Sequence, residues 1–421
     1  MKKNSNVVII GAGFGGIELA KALRNKMINV LLVDKHNYHN FQPLMYQVAT
    51  GGLEPGSIAY PVRRIFRNNK NITFRMAEVL EVMPKEKILK TSIGTIAYDY
   101  LVIATGSQNN YFNFETKKDQ LLTLKSIPEA LNLRSFIFQN LEKALANVND
   151  EPLEEIMNIA IVGGGPAGIE LAGALAEMKR YVLPKDFPDL DLSMMSINLY
   201  EAAPALLSSM SEEASEKSLE YLHQLGINVF LNSRVQDYDG SLITLADKSN
   251  FRTDTVIWTA GVKGAPIAGI PEEAIVGGNR IAVNEYNQAA GTKNIYAIGD
   301  VASHITPESP DGLPMLAPVA QQHGKALAKN ILRLEAGKQM KAFTYLDKGV
   351  MATIGRRKAV VDLKIWKFQG TFAWLVWMFV HIMSLVGFRN KVVAFVDWMV
   401  NYFTYDRPLG LIIRPYKRKE S

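Results

Sequence analysis

Cysteine is absent from the 421-residue chain. Its absence excludes structural disulfides, thiolate metal sites, iron–sulfur ligation and any dithiol redox relay. Histidine is scarce, and His36, His39, His323 and His381 share no metal-ligand spacing with one another or with carboxylates, so no metal site is expected. No long hydrophobic run opens the chain. Met1 to Asn6 passes directly into Val7-Val8-Ile9-Ile10 and a Gly-rich turn, which argues against a secretory signal and for folding in the cytoplasm. There is no aromatic-basic recognition motif, so nucleic acid is not an expected partner.

What is present is an apolar content of 48%, ample for the cores of two or three domains at this length. An internal repeat organises them. Gly11-Ala-Gly-Phe-Gly-Gly-Ile-Glu-Leu-Ala-Lys-Ala-Leu23 recurs as Gly163-Gly-Gly-Pro-Ala-Gly-Ile-Glu-Leu-Ala-Gly-Ala-Leu175, at a constant offset of 152. Each copy follows a short apolar run, Val7 to Ile10 or Ile159 to Val162, and continues with apolar residues at helical spacing, predicting strand, tight turn and helix. The copies also end alike, in Ala104-Thr105-Gly106 and in Thr259-Ala260-Gly261. Between them Ser126-Ile-Pro-Glu129 has capping-box spacing and opens a helix predicted to run to about Val148, followed by a polar linker from Asn149 to Glu155. A late buried strand, Asn294-Ile-Tyr-Ala-Ile-Gly-Asp300, suggests that the chain returns to the first domain.

The glycines have physical reasons. In the first copy Gly11 allows the turn, Gly13 lets a pyrophosphate approach the backbone, and Gly16 lets helix pack closely on strand. The phosphates then meet free N–H groups at the positive end of a helix. A second strand, Asn29 to Val33, ends in Asp34, placed to take the ribose hydroxyls of an adenosine. The second copy repeats this with Gly163, Gly165 and Gly168, but its acid lies farther along. Asp186, at the repeat offset, follows no strand, whereas Glu201 ends the apolar run Ser196 to Tyr200. An acid there favours the free 2′-hydroxyl of NAD over the 2′-phosphate of NADP.

These motifs together resemble the two-dinucleotide-binding-domain flavoprotein reductases. Four further stretches, His39-Asn-Phe-Gln-Pro-Leu-Met-Tyr-Gln-Val-Ala-Thr-Gly51, Val256-Ile-Trp-Thr-Ala-Gly-Val-Lys263, Ala317-Pro-Val-Ala-Gln-Gln322 and Asp347-Lys-Gly-Val-Met-Ala-Thr-Ile-Gly355, resemble the type II (non-proton-pumping) NADH:quinone oxidoreductases. The resemblance implies an α/β fold of two Rossmann-like dinucleotide-binding domains, the second inserted in the first, plus a C-terminal membrane-anchoring helical region. The implied division is an FAD-binding domain at 1–115 and 285–345, a helical connection at 116–155, an NADH-binding domain at 156–284 and a membrane-associating region at 346–421. By resemblance Gly11, Gly13, Phe14, Gly15, Gly16, Asp34, Lys35, Val79, Ala104, Thr105, Gly106, Asp300, Ala317 and Pro318 hold FAD. Gly163, Gly165, Pro166, Ala167, Gly168, Glu201, Ala260 and Gly261 receive NADH. The implied reaction passes hydride from NADH to the flavin, then two electrons to a membrane quinone, menaquinone or ubiquinone.

Glu170 is the implied catalytic carboxylate, able to relay protons to a reduced quinone. Glu18 holds the same repeat position, however, and a carboxylate there also offsets the helix dipole. For the quinone, Tyr46, Gln47, Gln321 and Gln322 are implied. The family pattern Ala-Gln-x-Ala-x-Gln is broken here by Pro318, which removes one amide.

From Gln369 to Phe388 twenty residues pass without Asp, Glu, Lys or Arg. Four of the five tryptophans lie at or after Trp366, and Arg389, Lys391, Arg407 and the basic stretch from Arg414 to Lys419 flank the apolar runs. Of the formal net charge of +6, +4 comes from Gly387 to Ser421. Polar residues within the run, and Asp397 and Asn401 in the next helix, argue for two helices lying in one leaflet rather than spanning. A peripheral position on the cytoplasmic membrane face follows, against anionic lipid. A buried core hairpin is the alternative, and whether the chain forms a homodimer stays open. Functionally, a ferredoxin or rubredoxin reductase and a catalytically idle nucleotide-sensing protein on the same fold stay open as well. Sulfide:quinone and disulfide reductases need the cysteines this chain lacks.

Overall fold

The computed structural model describes residues 4–146, 152–404, 410–412 and 416. The chain divides into two compact units, the first made of 1–40, 59–108 and 262–347, the second of 41–58, 109–261 and 348–421.

The first unit is built on five parallel strands in the order Ile295–Ala297, Tyr100–Ile103, Asn6–Ile10, Asn29–Asp34, Ile72–Met76. Its central strands are apolar throughout because both faces are covered. Val7 and Ile9 pack on one side with Ile17 and Leu19 of the helix Phe14–Ala22 and with Leu327 and Ile331 of the helix Ala317–Glu335. Val8 and Ile10 pack on the other with Leu89, Leu101 and Ile281. The two helices cross closely because neither has a side chain at the crossing: a Cβ on Gly324 would lie 2.5 Å from the Gly15 carbonyl oxygen.

The second unit repeats the plan, with five parallel strands in the order Leu122–Thr123, Thr255–Trp258, Ile159–Val162, Ile197–Tyr200, Asn228–Phe230. The predicted capping box forms at the helix Ile127–Ala146: Glu129 N–H donates to Ser126 Oγ at 3.4 Å, and Ser126 N–H to Glu129 Oε2 at 3.1 Å. Val148, where that helix was expected to end, and Asn149 to Glu151 of the expected linker lie outside the described residues. The rest of the linker is not irregular, since Leu153–Met157 is a short helix with Pro152 at its N-cap.

This unit also carries a three-stranded antiparallel sheet, Val350–Gly355, Lys358–Asp362 and Lys367–Gln369, followed by the helices Thr371–Ser384 and Phe388–Thr404. The uncharged run of twenty residues is therefore broken by a strand, a helix of 14 residues and a turn at Gly387, whose φ is +89°. Fourteen residues span only about 21 Å, short of the ~30 Å hydrocarbon core. Among the described residues no helix is long and apolar enough to cross a membrane. Four stretches group differently from the division implied by sequence: 262–284 and 346–347 with the first unit, and 41–58 and 109–115 with the second.

Candidate active site

Both repeats form the same turn. Gly11 and Gly163 have φ of +106° and +114°, and each donates its N–H to a carbonyl at the end of the neighbouring strand, that of Val33 or Tyr200, at 2.8 Å. Only glycine suits these positions, because a Cβ on Gly11 would lie 2.3 Å from the Ala104 carbonyl oxygen and one on Gly163 would lie 2.7 Å from Ala260 Cα. Gly16 and Gly168 are equally constrained: a Cβ on either would lie 1.9 Å from the carbonyl oxygen of Gly11 or Gly163. Gly13 and Gly165 are the N-caps of their helices, and a Cβ on either would meet nothing within 4 Å. Packing therefore does not require glycine there. A ligand approaching the backbone would, and this is what a pyrophosphate in the cradle needs.

In the first unit Asp34 closes the turn. Its Oδ2 accepts the Ala12 N–H at 2.6 Å and its Oδ1 the His36 N–H at 2.7 Å. Buried His39 holds the same residue from the other side, Nδ1 to the Ala12 carbonyl at 2.9 Å, with its ring edge-on to Phe14. Burial pushes the His39 pKa down, so the ring is neutral at pH 7 and its Nδ1–H is the donor. Thr105 Oγ donates to the Ala265 carbonyl and Gly106 adopts φ +71°. Asp300, in the turn Gly299–Val301, accepts from Ser107 Oγ at 2.6 Å. Ala317 and Pro318 begin their helix, where missing N–H partners make proline acceptable. Lys35 is exposed, and Val79 is half-buried at the start of the strand Val79–Met83.

In the second unit Glu201 stands where Asp34 stands in the first. Its Oε2 accepts the Gly164 N–H at 2.6 Å and its Oε1 the Ala203 N–H at 2.7 Å. Pro166 and Ala167 open the helix Pro166–Tyr181, and Ala260 and Gly261 follow the strand Thr255–Trp258. Asp186 sits at the end of the short helix Leu183–Asp186.

Glu170 and Glu18 share a repeat position but not an environment. Glu18 lies 2.8 Å from Lys21 and 3.5 Å from Lys325; partial burial would raise its pKa, but the two ammonium groups outweigh that and lower it. At the position of Lys21 the second copy has Gly173, and its bare backbone admits the strand Val350–Gly355 so closely that a Cβ there would lie 1.9 Å from the Ile354 carbonyl oxygen. Glu170 thus loses its cation and gains a wall. Burial pushes its pKa up to about 8, opposed only in part by the Thr353 N–H, 3.4 Å from Oε1, and by the Trp377 indole.

Glu170 lines a cavity of about 120 Å³ together with Tyr46, Gln47, Trp374, Trp377, Trp398 and Tyr402. That is roughly ten times the space one water needs. Tyr46 and Gln47 lie on the short helix Met45–Ala49, and Gln47 Nε2 donates to Tyr46 Oη at 2.9 Å. Gln321 and Gln322 lie on the helix Ala317–Glu335 of the first unit. Gln322 is tied at both ends of its amide to the backbone of Leu346, at 2.9 and 3.0 Å, an anchoring role that its motif did not suggest. Sequence reasoning also missed Ser107 and the cavity tryptophans as site residues, since none belongs to a local pattern. The replacement of Lys21 by Gly173 within the repeat was the available signal for Glu170.

The last two helices are amphipathic with the apolar side outward. Phe379, Phe388 and Phe403 are 67%, 83% and 72% exposed, and Val392, Phe395, Val396, Met399 and Val400 continue the exposed stripe. The polar side chains point inward: Asn390 Nδ2 donates to the carbonyls of Gly56 and Ser57, and Asn401 Nδ2 to that of Gly52, all at 3.0 to 3.1 Å. Among the described residues no group of three or more His, Asp or Glu is arranged to hold a metal ion.

The fold and the doubled cradle define a nucleotide-dependent oxidoreductase. Residues 5–324 match the pyridine nucleotide-disulphide oxidoreductase family, and residues 348–405 match the NDH2 C-terminal domain. The chain is 31% identical over 420 residues to the type II NADH:quinone oxidoreductase Ndh of Mycobacterium tuberculosis, covering 96% of this chain and 89% of that one. It is also 31% identical over 392 residues to the type II NADH:quinone oxidoreductase of Haemophilus influenzae, covering 85% and 87%. In fold it is similar to NDH2 from Plasmodium falciparum solved with NADH, at a TM-score of 0.88 and 22% identity over 97% of this chain and 100% of that one. The chain belongs to the type II NADH:quinone oxidoreductase family.

Proposed function

We propose that the chain is an FAD-dependent NADH:quinone oxidoreductase working on the cytoplasmic face of a membrane, with menaquinone or ubiquinone as acceptor. The observation that carries this reading is the cavity that joins buried Glu170 to Tyr46, Gln47 and three tryptophans beside helices with an outward apolar stripe. Bound FAD supplies the two-electron chemistry between NADH and quinone. The residues around Gly13, Asp34, Thr105 and Asp300 fit that cofactor, with open space at Gly13 and Gly106 where a Cβ would meet nothing within 4 Å. Gly165 receives the NADH pyrophosphate, and Glu201 takes the adenosine ribose.

Reducing a quinone consumes two electrons and two protons. One of the two protons arrives with the hydride that NADH gives up; Glu170, with a pKa of about 8, holds the other at neutral pH in its buried position, donates it to the reduced quinone oxygen and then regains one from solvent. The outward apolar stripe lies in the headgroup region of one leaflet, which lets a lipid-soluble quinone enter without crossing water. Arg389 and Lys391 add attraction to anionic lipid; the other flanking basic residues, Arg407, Arg414, Lys417, Arg418 and Lys419, lie outside the described residues. Neither a soluble ferredoxin reductase nor an idle nucleotide sensor accounts for that stripe or for the cavity.

The test is anaerobic titration of the yellow purified protein. NADH should bleach the flavin and a short-chain menaquinone or ubiquinone analogue should restore the colour. A colourless protein, or bleached flavin that quinone does not reoxidise, would overturn the reading.

A further inference from the structure

Trp398 lies on the helix Phe388–Thr404, on the side opposite its exposed apolar stripe. Its indole Nε1 donates to Gln47 Oε1 at 2.6 Å, and the Gln47 amide in turn donates from Nε2 to Tyr46 Oη at 2.9 Å. All three side chains line the cavity that holds Glu170. The direction of this chain is dictated by its first member. An indole nitrogen can only donate, so Gln47 must turn its carbonyl to Trp398 and its NH₂ to Tyr46. Tyr46 Oη is thereby an acceptor toward Gln47, and a phenol that accepts on its oxygen still carries an O–H able to donate. A quinone offers only carbonyl acceptors, so a donor hydroxyl is the polarity it requires.

We propose that Trp398 is a positioning residue for quinone reduction: through Gln47 it sets the Tyr46 hydroxyl as a hydrogen-bond donor to a quinone carbonyl in the Glu170 cavity. This rests on the quinone reading of that cavity. It also assigns the lipid-facing helix a second role, because the helix that presents its apolar side outward fixes the polarity of the pocket with its inner side. Helix docking is held independently by Asn390 and Asn401, which bond the backbone carbonyls of Gly52, Gly56 and Ser57. Removing the indole N–H alone therefore leaves the helix in place.

The test uses the full-length holoenzyme and a short-chain quinone analogue. Trp398→Phe keeps an aromatic, though smaller, side chain and removes the donor; we expect the quinone KM to rise about fivefold, the worth of one misdirected hydrogen bond, while NADH bleaches the flavin at the wild-type rate. Tyr46→Phe should raise KM by a similar factor, and the double variant should be no worse than either, because both remove one interaction. Gln47→Glu separates polarity from packing. Its carboxylate accepts from both neighbours and draws the Tyr46 proton out of the cavity, so quinone affinity should fall at high pH and recover as pH drops and the protonated acid again donates to Tyr46. An unchanged quinone KM in Trp398→Phe, multiplying effects in the double variant, or a Gln47→Glu enzyme without the pH-dependent recovery would overturn the assignment. If the wild-type enzyme itself fails to pass electrons to quinone, the fault lies in the functional reading instead.

Discussion

The carboxylate of Glu201 accepts the backbone N–H of Gly164 at 2.6 Å, as Asp34 accepts that of Ala12 at 2.6 Å, and Gly164 and Ala12 are 152 residues apart in the repeat. The acid is thus built into the phosphate turn rather than merely near it. Each carboxylate spends one oxygen on the turn and the other on a residue two places downstream, leaving lone pairs toward the ribose side. Replacing Glu201 by Gln removes the charge that repels a 2′-phosphate and keeps one acceptor oxygen. The ratio of kcat/KM for NADH over NADPH should fall by about tenfold or more, in steady-state assays with both nucleotides. An unchanged ratio would place the ribose-binding acid elsewhere.

The glycines of each cradle separate folding from binding. Gly16→Ala drives a Cβ to within 1.9 Å of a backbone carbonyl and should prevent the unit from folding, seen as loss of soluble protein. Gly13→Ala meets nothing within 4 Å, so the protein should fold and yet lose most of its FAD on purification, read from the ratio of flavin to protein absorbance. Gly165→Ala should retain FAD and raise the KM for NADH.

Repeats, apolar strands and turn glycines were legible in the sequence because each is a local rule: Val7 to Ile10 is apolar because it is covered on both faces, and Gly11 is glycine because its φ is +106°. The Ser126–Glu129 cap was legible for the same reason. What was not legible depends on distant partners. Glu170 differs from Glu18 through Thr353, more than 180 residues away in sequence. Trp398 reads as an interfacial tryptophan until its bond to Gln47 is seen, 351 residues off. The 262–284 segment follows the second repeat in the chain, but Ile281 packs with the first unit's core. Gln322 matched a motif residue and proves to hold Leu346.

The outward stripe of the helix Phe388–Thr404 makes the proposed membrane contact testable. Truncation after Val360 would cut the sheet Val350–Gln369, whose first strand walls the Glu170 cavity, so it would confound anchoring with site damage. Point changes on the stripe are cleaner. Val396→Glu with Phe403→Glu places two charges where lipid would lie, and should move most of the protein from the membrane pellet to the supernatant with its flavin retained. Retention in the pellet would refute anchoring by this face.

Glu170 also predicts a dependence of stability on pH. Its pKa is raised by burial from the ordinary 4.5 to about 8, so the folded state binds its proton more tightly than the unfolded state does. As pH rises above the unfolded value the unfolded chain releases that proton while the folded chain keeps it, and stability falls progressively until the folded pKa is passed. The contribution present below about pH 4.5 is thus lost by about pH 8, a difference on the order of a few kcal/mol. Glu170→Gln has no proton to lose. Its melting temperature should match that of the wild type near pH 5 and exceed it increasingly toward pH 8.5, when both are followed by flavin fluorescence. Quinone reduction should fall in the same variant while NADH still bleaches the flavin, separating a carboxylate that handles protons from one that only fills space. Parallel melting curves at all pH values would show that Glu170 is ionised in the folded protein and that the cavity is wetter than its tryptophans suggest.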